Sequence, residues 1–173
     1  MGEAYDVMAL ITNLFLSLLN TDFLLRAHSL DPDNMMIALS IAQCYIQDGL
    51  KRQSDNRQYL LAQGFAFLHR YYNARIASAS ASATSAAAAA AERQEAHYNL
   101  ARTYHGVGLP HLAMEYYHLA LLEKVEDEGE GKGKGVMGSQ DISREAAFNL
   151  QQLCLVGGDL ETVRLLGERY LVL

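Results

Sequence analysis

Cysteine, proline and net positive charge are the scarce commodities of this sequence, and each scarcity closes a class of function. Its two cysteines, Cys44 and Cys154, lie far apart and form no C-x-x-C pair. Neither a disulfide framework nor a cysteine-held metal is expected, and a reducing compartment fits. Fourteen Lys and Arg face twenty Asp and Glu, for a formal charge of -6. That balance repels a phosphate backbone and supplies no basic stripe, so direct nucleic-acid binding by this chain is not expected. The apolar run Val7–Leu19 has 13 residues, too few for a bilayer that needs about 20. Glu3 and Asp6 stand before it, where a signal peptide carries positive charge. It reads as a buried helix with no membrane role, and its apolarity so near Met1 fits an array cut from a longer one.

The two prolines, Pro32 and Pro110, leave long stretches in which apolar residues recur every three or four positions. That period is helical, and half the residues are hydrophobic, enough for a core in a chain of one-domain length. Two stretches interrupt it. Residues 77–91, ASASASATSAAAAAA, carry no side chain large enough to fill a core and read as a linker. Ala86–Ala91 has the best intrinsic helix propensity, so the next helix is expected to reach back into the tract under a Thr84 or Ser85 cap. Residues 125–141, VEDEGEGKGKGVMGSQD, combine glycine with mixed charge and read as a solvated loop.

With these set aside, a repeat emerges. Leu39-Ser40-Ile41-Ala42 with Tyr45, Tyr98-Asn99-Leu100-Ala101 with Tyr104, and Phe148-Asn149-Leu150-Gln151 with Cys154 align without gaps. The middle copy continues through Gly108, Ala113, Tyr117 and Ala120, and the last through Gly158, Val163 and Tyr170. Helix, tight turn and second helix in this order is the tetratricopeptide pattern, whose period is about 34 residues. Small Ala113 and Ala120 let the second helix approach the first, Leu100 and Tyr104 fill the gap, and Gly108 permits a left-handed turn. The expected fold is an all-α tetratricopeptide helix-pair solenoid with two low-complexity insertions. Its parts are a divergent repeat at 1–31, a repeat with an enlarged inter-helix turn at 32–76, the linker at 77–91, a repeat at 92–124, the loop at 125–141 and a repeat at 142–173. Helices are expected near Glu3–Asn13, Leu14–Leu30, Met35–Gln47, Asp55–Ile76, Glu92–Val107, Pro110–Glu123, Ile142–Val156 and Asp159–Leu171.

Little here suggests catalysis. The histidines His97, His105, His111 and His118 form no H-x-x-x-H or H-E-x-x-H pair, and GEGKGKG is not followed by the lysine and hydroxyl of a phosphate-binding loop. No enzyme, metal or cofactor is expected. His97 falls where these repeats place a large aromatic, and a packing role is expected for it. Tyr71-Tyr72 and Tyr116-Tyr117 resemble base-stacking platforms, but the acidic balance favours packing. Binding of a protein segment is the better prospect, because first helices of stacked pairs line one face. The residues placed there by spacing are Met36, Leu39, Gln43 and Ile46, then Glu95, Tyr98, Arg102 and His105, then Glu145, Phe148, Gln152 and Leu155. Tyr98 and Arg102 are the expected anchors.

Four blocks in order carry a more specific likeness: LDPDN at 30–34, RQSDNRQYLLAQGFAFLHRYY at 52–72, RQEAHYNLARTYHGVGLPHLAMEYYHLAL at 93–121, and REAAFNLQQLCLVGGDLETVRLLGERYL at 144–171. They resemble the C-terminal repeats of the large tetratricopeptide subunits of transcription factor IIIC. The resemblance implies a nuclear scaffold that contacts other transcription factor IIIC subunits, helps to recruit factor IIIB components and acts in assembling the RNA polymerase III preinitiation complex. It supplies no catalytic residue. The alternative is a co-chaperone-type receptor for peptide tails. That role uses a clamp of lysines, arginines and asparagines, whereas the predicted groove offers Arg102 among glutamine, leucine and isoleucine.

Overall fold

Several of the described helices start or stop for a reason visible in their flanking residues. A computed structural model describes residues 21–52, 54–81, 85–123 and 141–171. Residues 21–30 form α1, which ends where Asp31 donates its N–H to the Ala27 carbonyl ahead of Pro32. Asn34 then caps α2 (Met35–Leu50): its side-chain oxygen accepts from the backbone N–H of Met36 at 3.1 Å and of Ile37 at 3.3 Å. A turn leads to α3 (Arg57–Ala81), Ser85 caps α4 (Ala86–Val107), and Pro110 opens α5 (Pro110–Leu122), where its missing N–H costs nothing. After residues 124–140 come α6 (Ser143–Gly157) and α7 (Leu160–Leu166), and α7 runs into a π-helical turn, Gly167–Leu171. The described residues contain no strand, and the architecture is all-α, in tetratricopeptide-like helix pairs. Expectations for residues 1–20 and for the loop at 125–140 lie outside the described residues.

The chain divides within α3 into two units, Met1–Tyr71 and Tyr72–Leu173. In the first, Ile41, Ala42, Leu68 and Tyr71 are buried in the core. Close approach of α2 and α3 depends on Gly64, where an added Cβ would lie 2.5 Å from Ile46 Cγ1 and 3.1 Å from the Ile46 backbone nitrogen. Arg70 donates to the Pro32 carbonyl at 2.8 Å, holding the turn before α2, and Phe67 stacks on Tyr45.

In the second unit, the two repeat turns are built alike. Gly108 and Gly158 take left-handed φ of 84° and 80°, closing α4 and α6 with backbone bonds to the preceding carbonyls. Such a conformation costs an L-residue roughly 1–2 kcal/mol. Ala96, Leu100, Ala101 and Tyr104 of α4 meet Ala113, Tyr117 and Ala120 of α5 in one buried core, in which small residues bring the helices together around the tyrosines.

Of residues 77–91, expected as a linker, residues 77–81 instead prolong α3, whereas Ala86–Ala91 open α4 as expected of their helix propensity. α3 continues through residue 81, and α4 begins at Ala86 beneath the Ser85 cap, whose hydroxyl accepts from Ala88 N–H at 3.1 Å. Ala79 and Ala90 are buried. The reasoning that small side chains cannot pack a core fails because a methyl group is enough where two backbones come close. Alanine's helix propensity supplies the rest.

Candidate protein-binding face

The face predicted from spacing divides sharply once packing is known. On α2, Leu39 and Ile46 are 7% and 6% exposed and belong to the first unit's core, Ile46 against Gly64. Met36 and Gln43 are exposed. On α4, Glu95 pairs with Arg75 of α3 at 2.5 Å, Tyr98 and His105 are half-buried, and Arg102 is exposed. On α6, Glu145, Phe148, Gln152 and Leu155 are all exposed, Phe148 at 52% and Leu155 at 51%. Within the second unit, burial thus falls from the half-buried positions of α4 to the exposed positions of α6.

Tyr98 and Arg102 frame the part of this face in which α4 meets α6. The Asn149 side-chain amide donates to the Tyr98 hydroxyl at 3.3 Å. The Tyr98 ring lies 6.0 Å from that of Tyr117, and the Tyr117 hydroxyl lies 3.4 Å from His105 Nδ1. Tyr117 is fully buried, which pushes its ionisation well above the ordinary phenol range; neighbouring Tyr98 adds to this, and Arg102 and Asn149 oppose it. Tyr98 is therefore held by both neighbours and half-buried, and Arg102 is exposed.

Gln94 of α4 makes a structural contact that sequence reasoning missed. It is 0% exposed, yet every polar atom of its amide is used. Its Nε2 donates to Asp141 Oδ1 at 3.0 Å and to Ser143 Oγ at 2.9 Å, and its Oε1 accepts from the Ile142 N–H at 3.1 Å. One residue of α4 thus grips the entry to α6. Burial alone would raise the Asp141 carboxyl, but the hydroxyl and backbone N–H of Ser143 and the Gln94 amide outweigh it and hold the pKa below the ordinary value. A buried polar residue placed one turn before a repeat's aromatic is the only signal the sequence carries for this contact.

On the opposite side of α4, His97 is buried, as its expected packing role requires. Its Nδ1 lies 3.3 Å from the Tyr72 hydroxyl, and its ring packs beside Tyr72 and Tyr116. Burial lowers its pKa; Glu123 opposes that shift and Arg93 reinforces it. Arg93 forks onto Glu123 with two bonds of 2.9 and 2.8 Å, tying α4 to the end of α5. Among the described residues, no group of three His, Cys, Asp or Glu is placed to hold a metal ion, and no helix is long and apolar enough to cross a membrane.

No protein-family model matches the chain. Three curated proteins do. Transcription factor tau subunit sfc4 of Schizosaccharomyces pombe is 33% identical over 150 residues, 85% of this chain. The transcription factor tau 131 kDa subunit of Saccharomyces cerevisiae is 29% identical over 167 residues, 96% of this chain. General transcription factor 3C polypeptide 3 of Homo sapiens is 30% identical over 135 residues, 78% of this chain. The matches span 14%, 14% and 13% of those proteins' own lengths, so the chain corresponds to a small part of each. Similarity over most of the chain, together with the helix-pair fold, places this chain in the family of tetratricopeptide subunits of transcription factor IIIC.

Proposed function

We propose that this chain is a protein-interaction scaffold in a nuclear transcription factor IIIC-type complex, contributing to assembly of the RNA polymerase III preinitiation complex and not to catalysis. The observation that carries this reading is likeness over most of the chain to proteins named as transcription factor subunits. A concordant feature is the α4–α6 face, where Tyr98, Arg102, Phe148 and Leu155 offer aromatic, cationic and apolar anchors of the kinds enriched at interface hot spots. Sister subunits are the first partners on this reading, and factor IIIB components the second. Glu95, His105, Glu145 and Gln152 complete the solvent-facing or half-buried positions of those helices, and Met36 and Gln43 are exposed on α2. Leu39 and Ile46 serve stability instead.

Affinity purification of the tagged chain from nuclear extract, followed by mass spectrometry, tests the proposal. Other transcription factor IIIC subunits, or factor IIIB components, are the expected companions. Recovery of chaperones alone, through a salt-sensitive contact with their acidic tails, would contradict the scaffold reading and favour the tail receptor.

A further inference from the structure

The turn between α2 and α3 is longer than a helix pair requires. In the second unit two residues suffice: Gly108 and Leu109 join α4 to α5, and Gly158 and Asp159 join α6 to α7. Residues 51–56 join α2 to α3, six in place of two. Connections that exceed what the scaffold needs are where function concentrates. These six open the run KRQSDNR at 51–57, in which Lys51 and Arg52 stand three and two residues before Ser54, and Arg57 three after it. A serine behind basic residues is a charge pattern that the acidic subsites of basophilic protein kinases read.

Three serines of the chain have Lys or Arg two or three residues before them: Ser29 behind Arg26, Ser54 behind Lys51 and Arg52, and Ser78 behind Arg75. Their settings separate them. Ser29 belongs to α1, and its hydroxyl donates to the Arg26 carbonyl at 2.7 Å. Ser78 belongs to α3, where Arg75 is committed to Glu95. A kinase cleft takes its substrate extended, so either serine would have to be unwound from a helix. Ser54 is half-buried but lies outside any helix, and among the described residues its hydroxyl has no hydrogen bond. Lys51 already has extended backbone, with φ -62° and ψ 138°. Arg52 and Arg57 are exposed and, among the described residues, have no hydrogen bond or ion pair, while Lys51 pairs with Asp48 at 2.6 Å. The Ser54 N–H donates to the Lys51 carbonyl at 3.2 Å, and drawing the turn out opens this bond without unwinding a helix. We propose that Ser54 is a phosphate acceptor for a basophilic serine/threonine kinase that reads Lys51 and Arg52. In the transfer, a bond forms between Ser54 Oγ and the γ-phosphorus of ATP as the bond from that phosphorus to the β–γ bridging oxygen breaks. ADP leaves, and the hydroxyl proton passes to a carboxylate of the kinase. The phosphate brings a charge of about -1.5 to -2 to a turn that sets Lys51, Arg52 and Arg57 against Asp48 and Asp55, so the turn changes from net positive to net negative.

The test is phosphorylation of the full chain by the catalytic subunit of cyclic-AMP-dependent protein kinase with radiolabelled ATP, the labelled residue being located by mass spectrometry. Ser54 should take the label, and Ser54→Ala should abolish it. Arg52→Gln should lower kcat/KM roughly tenfold or more, the loss expected when a charge pair with the enzyme is broken. Both substitutions lie in a turn, and circular dichroism should show helicity unchanged. Label on Ser29 or Ser78 in place of Ser54, or a rate indifferent to Arg52→Gln, overturns the proposal. A peptide copying residues 48–60 separates recognition from access. If the peptide is labelled and the folded chain is not, the fold withholds Ser54 and the proposal fails. If neither is labelled, the basic run is not read and it fails equally.

Discussion

The α4–α5 and α6–α7 pairs share a register and a turn, yet one is closed and the other open. In α5, Ala113, Tyr117 and Ala120 are all fully buried against α4. The corresponding positions in the second pair are Val163, Gly167 and Tyr170, none of which is fully buried. At the register position of Tyr117, Gly167 has no side chain, and the Gln151 amide lies against it. There the backbone departs from α-helical spacing: Gln151 Nε2 donates to the Val163 carbonyl at 2.9 Å, and an added Cβ on Gly167 would lie 3.3 Å from that nitrogen. The Val163 carbonyl also accepts from the Gly167 N–H, and from there α7 runs on into the π-helical turn Gly167–Leu171. The first helix of a pair fixes the register, but the second helix decides whether the pair is closed. The second pair keeps Phe148, Leu155, Leu160 and Leu165 exposed.

The comparison is broken most severely at Tyr117. Tyr117→Ala should destabilise the chain by about 3–5 kcal/mol, the range for emptying a buried aromatic site, measured by urea denaturation. An effect as small as that of Tyr170→Ala in the second pair would mean that the aromatic plug does not distinguish them.

Overpacking tests the same contrast with a smaller effect. Ala113→Leu should cost on the order of 1–3 kcal/mol in a filled interface. Val163→Leu, at the equivalent but half-exposed position, should change the melting temperature less. Equal shifts would count against the assigned register.

The smallest effect belongs to His97. Its pKa is lowered in the folded chain, so between the folded value and the ordinary value of about 6.5 the unfolded chain binds more protons. Its contribution is therefore fully present above pH 6.5 and is lost as pH falls through that window towards the folded pKa. Stability measured from pH 7 down to pH 5 should decline more steeply for wild type than for His97→Gln, and parallel curves would contradict the burial of a neutral imidazole.

Much of this architecture was legible because a repeat writes its rules twice. The left-handed glycines, the small residues of α5, the Pro110 start and the packing role of His97 each follow from a local requirement, and the structure meets each one. What escaped the sequence depends on how near two backbones come. Ala79 and Ala90 are buried, which no hydropathy pattern reveals. Leu39 and Ile46 share the spacing of Phe148 and Leu155 but differ in burial, because Gly64 admits α3 against α2. Periodicity identifies a face without saying what covers it. Gln94 escaped for a related reason: its partners lie 47 to 49 residues away, beyond a break in the pattern.

Amide hydrogen exchange, resolved by helix, tests the contrast between the closed and open pairs most directly. Amides in the buried turns of α4 and α5 should exchange only through global unfolding, while those of α7 and the Gly167–Leu171 turn exchange through local opening and much faster. Equal protection of α5 and α7 would contradict the account, because it would mean that the second pair is as tightly closed as the first.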